Sequence, residues 1–182
     1  MSPNDTLESL LEDSKLSGTS FRESKVTISV RPDSDEEFIF FHIDNPAKNP
    51  KIRQIIQSEE GRKIVDLIIR YKKESQISIL FVYVDGKGRD IKYGITQIID
   101  THISIKNYCN TKNITLLDRH FSAIIVQRNS SPSISAAKIA DLKKNIQHKA
   151  GISAKMVYVV KIHGNGDQFS EVVRGFYQKL VK

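Results

Sequence analysis

The sequence predicts a single α/β domain in which helices flank a central mixed β-sheet. Three observations predict it. Apolar runs rich in Ile, Val and Phe alternate with segments of helical periodicity. A strand–helix–strand order occurs twice, which calls for parallel neighbours in the sheet. A chain of 182 residues suits one well-filled core and is short for two, so the domain is expected to span residues 1–182.

The elements follow in order. In "NDTLESLLEDSKLSG", Asp5 or Thr6 can cap a short helix whose apolar face is Leu7, Leu10 and Leu11, with Gly18 as its stop. "KVTISV" (25–30) and "EFIFFHI" (37–43) are β-rich runs separated by the turn formers "RPDSD". "KIRQIIQS" reads as a helical turn or a strand. "RKIVDLIIR" (62–70) and "ISILFVYVD" (77–85) flank the polar "YKKESQ", the pattern of a β-hairpin. Asp90 can cap a helix running to about Tyr108, with Ile91, Ile95, Ile98, His102, Ile105 and Cys109 on its apolar stripe. "FSAIIVQR" (121–128) is a strand, followed by a helix from Ser135 to Lys149 and a strand at "KMVYVVKI" (155–162). "HGNGD" is a turn. In the final helix Phe169, Val172, Val173, Phe176 and Leu180 share a face, and Asp167 is a candidate cap.

Composition narrows the function classes. The apolar fraction of 39% and the charged fraction of 27% are those of a globular protein. No apolar run approaches the ~20 residues of a membrane span. The first residues have neither the basic nor the apolar region of a secretory signal, so a reducing cytoplasm is the expected compartment. Cys109 is alone, which excludes an internal disulfide or a Cys-based zinc site. Lys and Arg number 28 against 21 Asp and Glu, a net charge of +7 that attracts polyanions, nucleic acid first. The helix bearing Lys138, Lys143, Lys144 and Lys149 could meet a phosphate backbone; a solvated face explains it nearly as well.

The run Ile79–Val84 is apolar throughout, as in a strand covered on both faces. It ends in Asp85-Gly86-Lys87-Gly88, and alternation turns Asp85 and Lys87 to one side, about 7 Å apart. Alone, this reads as a strand ending in a polar turn. Asp66 adds weight, because an acid between Val65 and Leu67 is costly to bury without a partner, unless the strand is an exposed edge. A hairpin centred between Ser75 and Gln76 would set Asp66 directly opposite Asp85, about 5 Å apart at Cβ; a slip of one residue would part them. Two such carboxylates repel unless a cation or proton lies between them. Mg²⁺ suits the pair, since it takes one or two carboxylates and accepts phosphate oxygens. With Lys87 beside the water or the phosphate, Asp66, Asp85 and Lys87 form a minimal phosphodiester-hydrolysis set.

The histidines (His42, His102, His120, His148, His163) show no metal-ligand spacing, and His102 falls on an apolar stripe as a packing residue. There is no P-loop and no G-x-S-x-G elbow.

The segment "IVDLIIR…ILFVYVDGKG" resembles the signature of the PD-(D/E)XK nuclease superfamily: an acid in one hairpin strand, then an apolar strand ending in acid-x-Lys-Gly. The resemblance covers roughly residues 5 to 128. It implies a restriction-endonuclease-like αβββαβ core and metal-dependent hydrolysis of phosphodiester bonds, in DNA ahead of RNA. Mg²⁺ or Mn²⁺ would be held by Asp66 and Asp85, Lys87 would serve the water or the scissile phosphate, and Gln97 in "IKYGITQIID" would support the site. A further acid could come from Glu8 or Glu12. The chain departs from the family pattern at four positions: Asp85 stands for the usual Glu, Gly86 for a core-facing apolar residue, Val65 for Pro and Thr101 for Tyr. The alternative is a nuclease-like module that no longer cuts and serves nucleic-acid binding or assembly. A second copy of the chain or a partner protein is a further candidate partner.

Overall fold

The computed structural model describes residues 6–23, 26–86, 91–128, 133–162 and 168–181. The expected caps Asp90 and Asp167, the "HGNGD" turn, His163 and Lys87 lie outside the described residues.

Helix α1 (Leu7–Leu11) opens on a capping box: Thr6 accepts from Ser9 N–H, and Ser9 accepts from Thr6 N–H. It ends well before Gly18, passing through a 3₁₀ turn at Glu12–Ser14. Strands β1 (Ser20–Glu23) and β2 (Val26–Ser29) form a small antiparallel hairpin. Strand β3 (Glu36–His42) enters the main sheet. "KIRQIIQS" resolves as helix α2 (Lys51–Gln57), with Ile52 and Ile56 buried. Strands β4 (Leu67–Lys73) and β5 (Ile79–Asp85) follow, then the long helix α3 (Ile91–Thr111) and strand β6 (Arg119–Arg128). Helix α4 (Ala136–Ala150) is capped by Ser135 and ended by Gly151, whose φ of 75° is the left-handed conformation glycine favours. A 3₁₀ turn (Ala154–Met156) leads into β7 (Val157–Ile162), and α5 (Gln168–Gln178) completes the chain.

Among the described residues the main sheet has five strands in the order β3-β4-β5-β6-β7. β3, β4 and β5 pair antiparallel, while β5–β6 and β6–β7 are parallel. The mixed sheet expected from the two crossovers is present, one crossover through α3 and the other through α4.

Alternation along β5 assigns the two faces. Phe81 and Tyr83 meet Phe121 of β6, and Tyr83 also meets His102 of α3. Tyr71, which pairs with Leu80, packs edge-on against Tyr177 of α5. Phe21 of the small hairpin lies on His42 of the same α5-facing side. One face therefore carries α3, and the other carries α5 and the β1–β2 hairpin. With both faces covered, β5 is buried from Leu80 to Asp85, as its unbroken apolar run predicts. His102 is a core residue: its Nδ1 lies 3.0 Å from Tyr83 Oη, and burial, helped by Lys106, lowers its pKa to about 4 against an opposing hydrogen bond that the ring donates to the Ala150 backbone.

An ionic network pins α5 to the sheet. The Glu36 carboxylate, with no exposed side-chain surface, accepts from Arg174 Nη2 at 2.7 Å, Tyr71 Oη at 2.7 Å and Asp33 N–H at 3.0 Å. Burial alone would push its pKa up; the Arg174, Asp33 and Tyr71 hydrogen bonds outweigh that and hold it at about 2. A depressed carboxylate pKa contributes stability above its ordinary value of 4.5, and that stability is lost as pH falls toward about 2. Urea unfolding across this window should show a falling stability in the wild type. Glu36→Gln should be less stable at neutral pH and show a shallower fall with acid.

Candidate functional site

The β4–β5 register sets the site. Leu67 pairs with Val84, Ile68 with Tyr83 and Tyr71 with Leu80, the alignment expected from a turn between Ser75 and Gln76. Extended by one step, it sets Asp66 opposite Asp85. Asp85 is the last residue of β5, and Asp66 stands at a bend immediately before β4. Ile43 N–H donates to the Asp66 carbonyl at 3.0 Å, so the β3–β4 ladder holds residue 66 from its other side. The Asp66 Oδ2 atom accepts from Gly86 N–H at 3.0 Å, which draws its carboxylate to the end of β5. Both acids are inside the protein, Asp66 at 3% exposure and Asp85 at 0%.

The glycines beside them act differently. At Gly86 a Cβ would stand 3.4 Å from Asp66 Oδ2, an ordinary contact, so this residue contributes its N–H and not its missing side chain. At Gly94, in the first turn of α3, a Cβ would overlap Asp85 Oδ2 and stand 3.1 Å from its Cγ. Only glycine lets the Asp85 carboxylate lie against the helix backbone. A glycine inside a helix costs ~1 kcal/mol relative to alanine, a cost that marks Gly94 in the sequence, and the close approach of Asp85 is its structural reason.

The segment 62–65 departs from the expected strand over residues 62–70. Instead of a sheet ladder, its polar groups bond to side chains of α3. Asp100 accepts from Lys63 N–H at 3.0 Å and from Arg62 Nη1 at 3.1 Å. Thr101 Oγ1 accepts from Val65 N–H at 3.0 Å, and Gln97 Nε2 donates to the Ile64 carbonyl. This strap delivers the chain to Asp66. Gln97 is thus close to the acids, but its amide nitrogen holds backbone. Its Oε1 is buried and finds no hydrogen-bond partner among the described residues. Asp100 and Thr101 in these positions were not anticipated from the sequence. Their spacing, three and four residues after Gln97, is the helical signal that could have pointed to them.

The remaining candidates are dispersed. Lys87 lies outside the described residues. Glu8 is engaged by Arg119 at 3.2 Å and Arg70 at 3.9 Å, and Glu12 by Lys15 at 3.8 Å. Lys138, Lys144 and Lys149 are exposed on α4 and Lys143 is half-buried; of these, Lys149 lines a cleft against α3. Among the described residues no three His, Cys, Asp or Glu side chains gather in a metal-ligating cluster. No described helix is long and apolar enough to cross a membrane. No family model, curated protein or solved structure matches the chain.

The two helix glycines make opposite predictions. Nothing lies within 4 Å of a Cβ built at Gly175 in α5, so Gly175→Ala should stabilise the protein by up to ~1 kcal/mol. Gly94→Ala should forfeit that gain and displace the Asp85 carboxylate. Thermal or urea unfolding of the two variants should move in opposite directions.

Proposed function

We propose that the protein is a metal-dependent nuclease that hydrolyses phosphodiester bonds, in DNA ahead of RNA. The observation that carries this reading is that Asp66 and Asp85, which flank the register pair of Leu67 and Val84, are both buried, with Asp66 Oδ2 held by the amide of Gly86 next to Asp85. Burying acidic side chains is expensive, and buried acids gathered at one place concentrate where they are used. The donor set fits a hard divalent cation, with two carboxylates and the buried Gln97 Oε1 as oxygen donors. Asp66 and Asp85 would hold Mg²⁺ or Mn²⁺. Bound there, the ion would offset their charge, polarise a phosphoryl group and acidify water.

The protein's own groups prepare that chemistry. Gly86 N–H fixes one oxygen of Asp66, and the bare Cα of Gly94 seats Asp85 against α3. The strap bonds from Asp100, Gln97 and Thr101 hold the backbone leading to Asp66. Lys87, two residues past Asp85, would orient the attacking water or balance charge developing on the phosphate.

One observation favours a second reading. Asp85 has no exposed surface, and its carboxylate reaches one methylene less far than a glutamate would. A nuclease-like module that binds nucleic acid or assembles with other proteins, without cutting, would tolerate this.

Incubation with DNA and RNA, with Mn²⁺, Mg²⁺ or EDTA, separates the two. The nuclease reading expects cleavage that EDTA abolishes, and a loss of about a hundredfold or more in Asp66→Asn and Asp85→Asn, beyond what outer-shell metal partners cost. Lys87→Ala should lose cleavage and keep Mn²⁺ binding. Calorimetric Mn²⁺ affinity equal in wild type and Asp85→Asn, with no cleavage of either nucleic acid, would establish the non-cutting module instead.

A further inference from the structure

We propose that the cleft between α3 and α4, together with Tyr93 on the α3 stripe that leads into it, holds an unpaired nucleotide of a nucleic-acid strand. The proposal rests on the nuclease reading for the identity of the strand and names where it runs. The cleft has a volume of about 380 Å³, within the roughly 300–1,000 Å³ range of ligand pockets. Ile99 and Ile103 of α3 give it an apolar floor, and Asn145, His148 and Lys149 of α4 supply polar and cationic groups on the opposite wall. Arg62 closes one side, its guanidinium anchored by Glu59 at 2.9 Å and Asp100 at 3.1 Å. That anchoring also balances Asp100, the acid that lines the cleft.

An apolar floor beneath a cationic rim matches the two halves of a nucleotide, base and phosphate. Tyr93 extends the match. It lies three residues before Thr96 and seven before Asp100, both of which line the cleft, so one helical stripe carries all three. It is 40% exposed, and Lys63 Nζ stands 5.8 Å from its ring centroid. An exposed aromatic ring beside a lysine is the combination on which unstacked bases bind, whatever their sequence. A base still paired in a duplex could not enter a cleft between two helices.

The track also leads to the acids. Lys63 is three residues before Asp66 on the strap, and Gly94, next to Tyr93, is the residue against which Asp85 packs. A strand held at Tyr93 and Lys149 would pass beside the start of α3, where the Asp85 carboxylate packs on Gly94. The net charge of +7 supplies long-range attraction, and the cleft supplies the preference for unpaired strand.

Fluorescence anisotropy in EDTA, with a labelled single-stranded oligonucleotide and a duplex of equal length, tests this without any cleavage. The single strand should bind more tightly than the duplex. Tyr93→Ala should weaken single-strand binding on the order of tenfold, and Tyr93→Phe should restore it. Lys149→Ala should lower the slope of log affinity against log salt by about 0.7. Equal binding of the two forms, no single-strand binding, or an unchanged affinity in Tyr93→Ala would overturn the proposal. Single-strand preference in a protein that never cleaves would support it and refute hydrolysis, so the two readings fail separately.

Discussion

The pairing of β4 with β5 is the constraint on which the site depends. Side chains alternate along a strand, so a slip of one residue would have moved Asp85 out of step with Asp66. The slip is prevented by burial on both faces. Phe81 and Tyr83 must meet Phe121 and α3, while Leu80, Val82 and Val84 must fill the side covered by α5. Shifting the ladder would exchange these sets and put Tyr71, now against Tyr177, out of place. The hydrophobic core thereby specifies the position of two acids that contribute nothing to it.

The chain buries acids at both ends of the β4–β5 pair, in different company. Glu36, opposite Lys73, is surrounded by Arg174, the Tyr71 hydroxyl and the Asp33 amide, which satisfy it and tie α5 to the sheet. Its depressed pKa expresses that satisfaction. At the other end, Asp66 stands just before β4 and Asp85 closes β5, held by a backbone N–H at Asp66 and by a glycine-lined approach to α3 at Asp85. The first arrangement is a structural ion pair in which a guanidinium is the counterion. The second brings two acids to the same end of the hairpin, one fixed by a backbone amide and the other seated on the bare Cα of a helix glycine.

Sequence patterns revealed most of the fold, and the exceptions have physical causes. The hairpin, its register and the parallel half of the sheet were legible because alternation, a polar turn and two crossovers leave few alternatives. "KIRQIIQS" stayed ambiguous because one turn of apolar periodicity suits either a helix or a strand; burial of Ile52 and Ile56 decides for the helix. β1 was missed because "SFRE" has a single large apolar residue and depends on its pairing with β2. The expected strand over residues 62–70 was too long at its start. Ile64 and Val65 are buried as strand residues would be, but the partners of their backbone groups are side chains of Gln97 and Thr101. Periodicity reports which residues are buried, and it is silent on which groups satisfy the backbone.

That silence explains why the site was half legible. Asp66 and Asp85 stand out by residue type, as acids at the ends of apolar runs, whereas Gln97 is picked out by the family resemblance alone. The groups that place them are backbone atoms and absent atoms: the Gly86 N–H, the missing Cβ of Gly94, and the amides of Lys63 and Val65. Gly86 departs from the family pattern because it leaves a gap where an apolar side chain is expected. Its role lies instead in its amide, which any residue but proline would supply. The residue whose identity the geometry demands is Gly94, eight residues further on, because there the chain gives up helix propensity so that a carboxylate can touch the helix backbone.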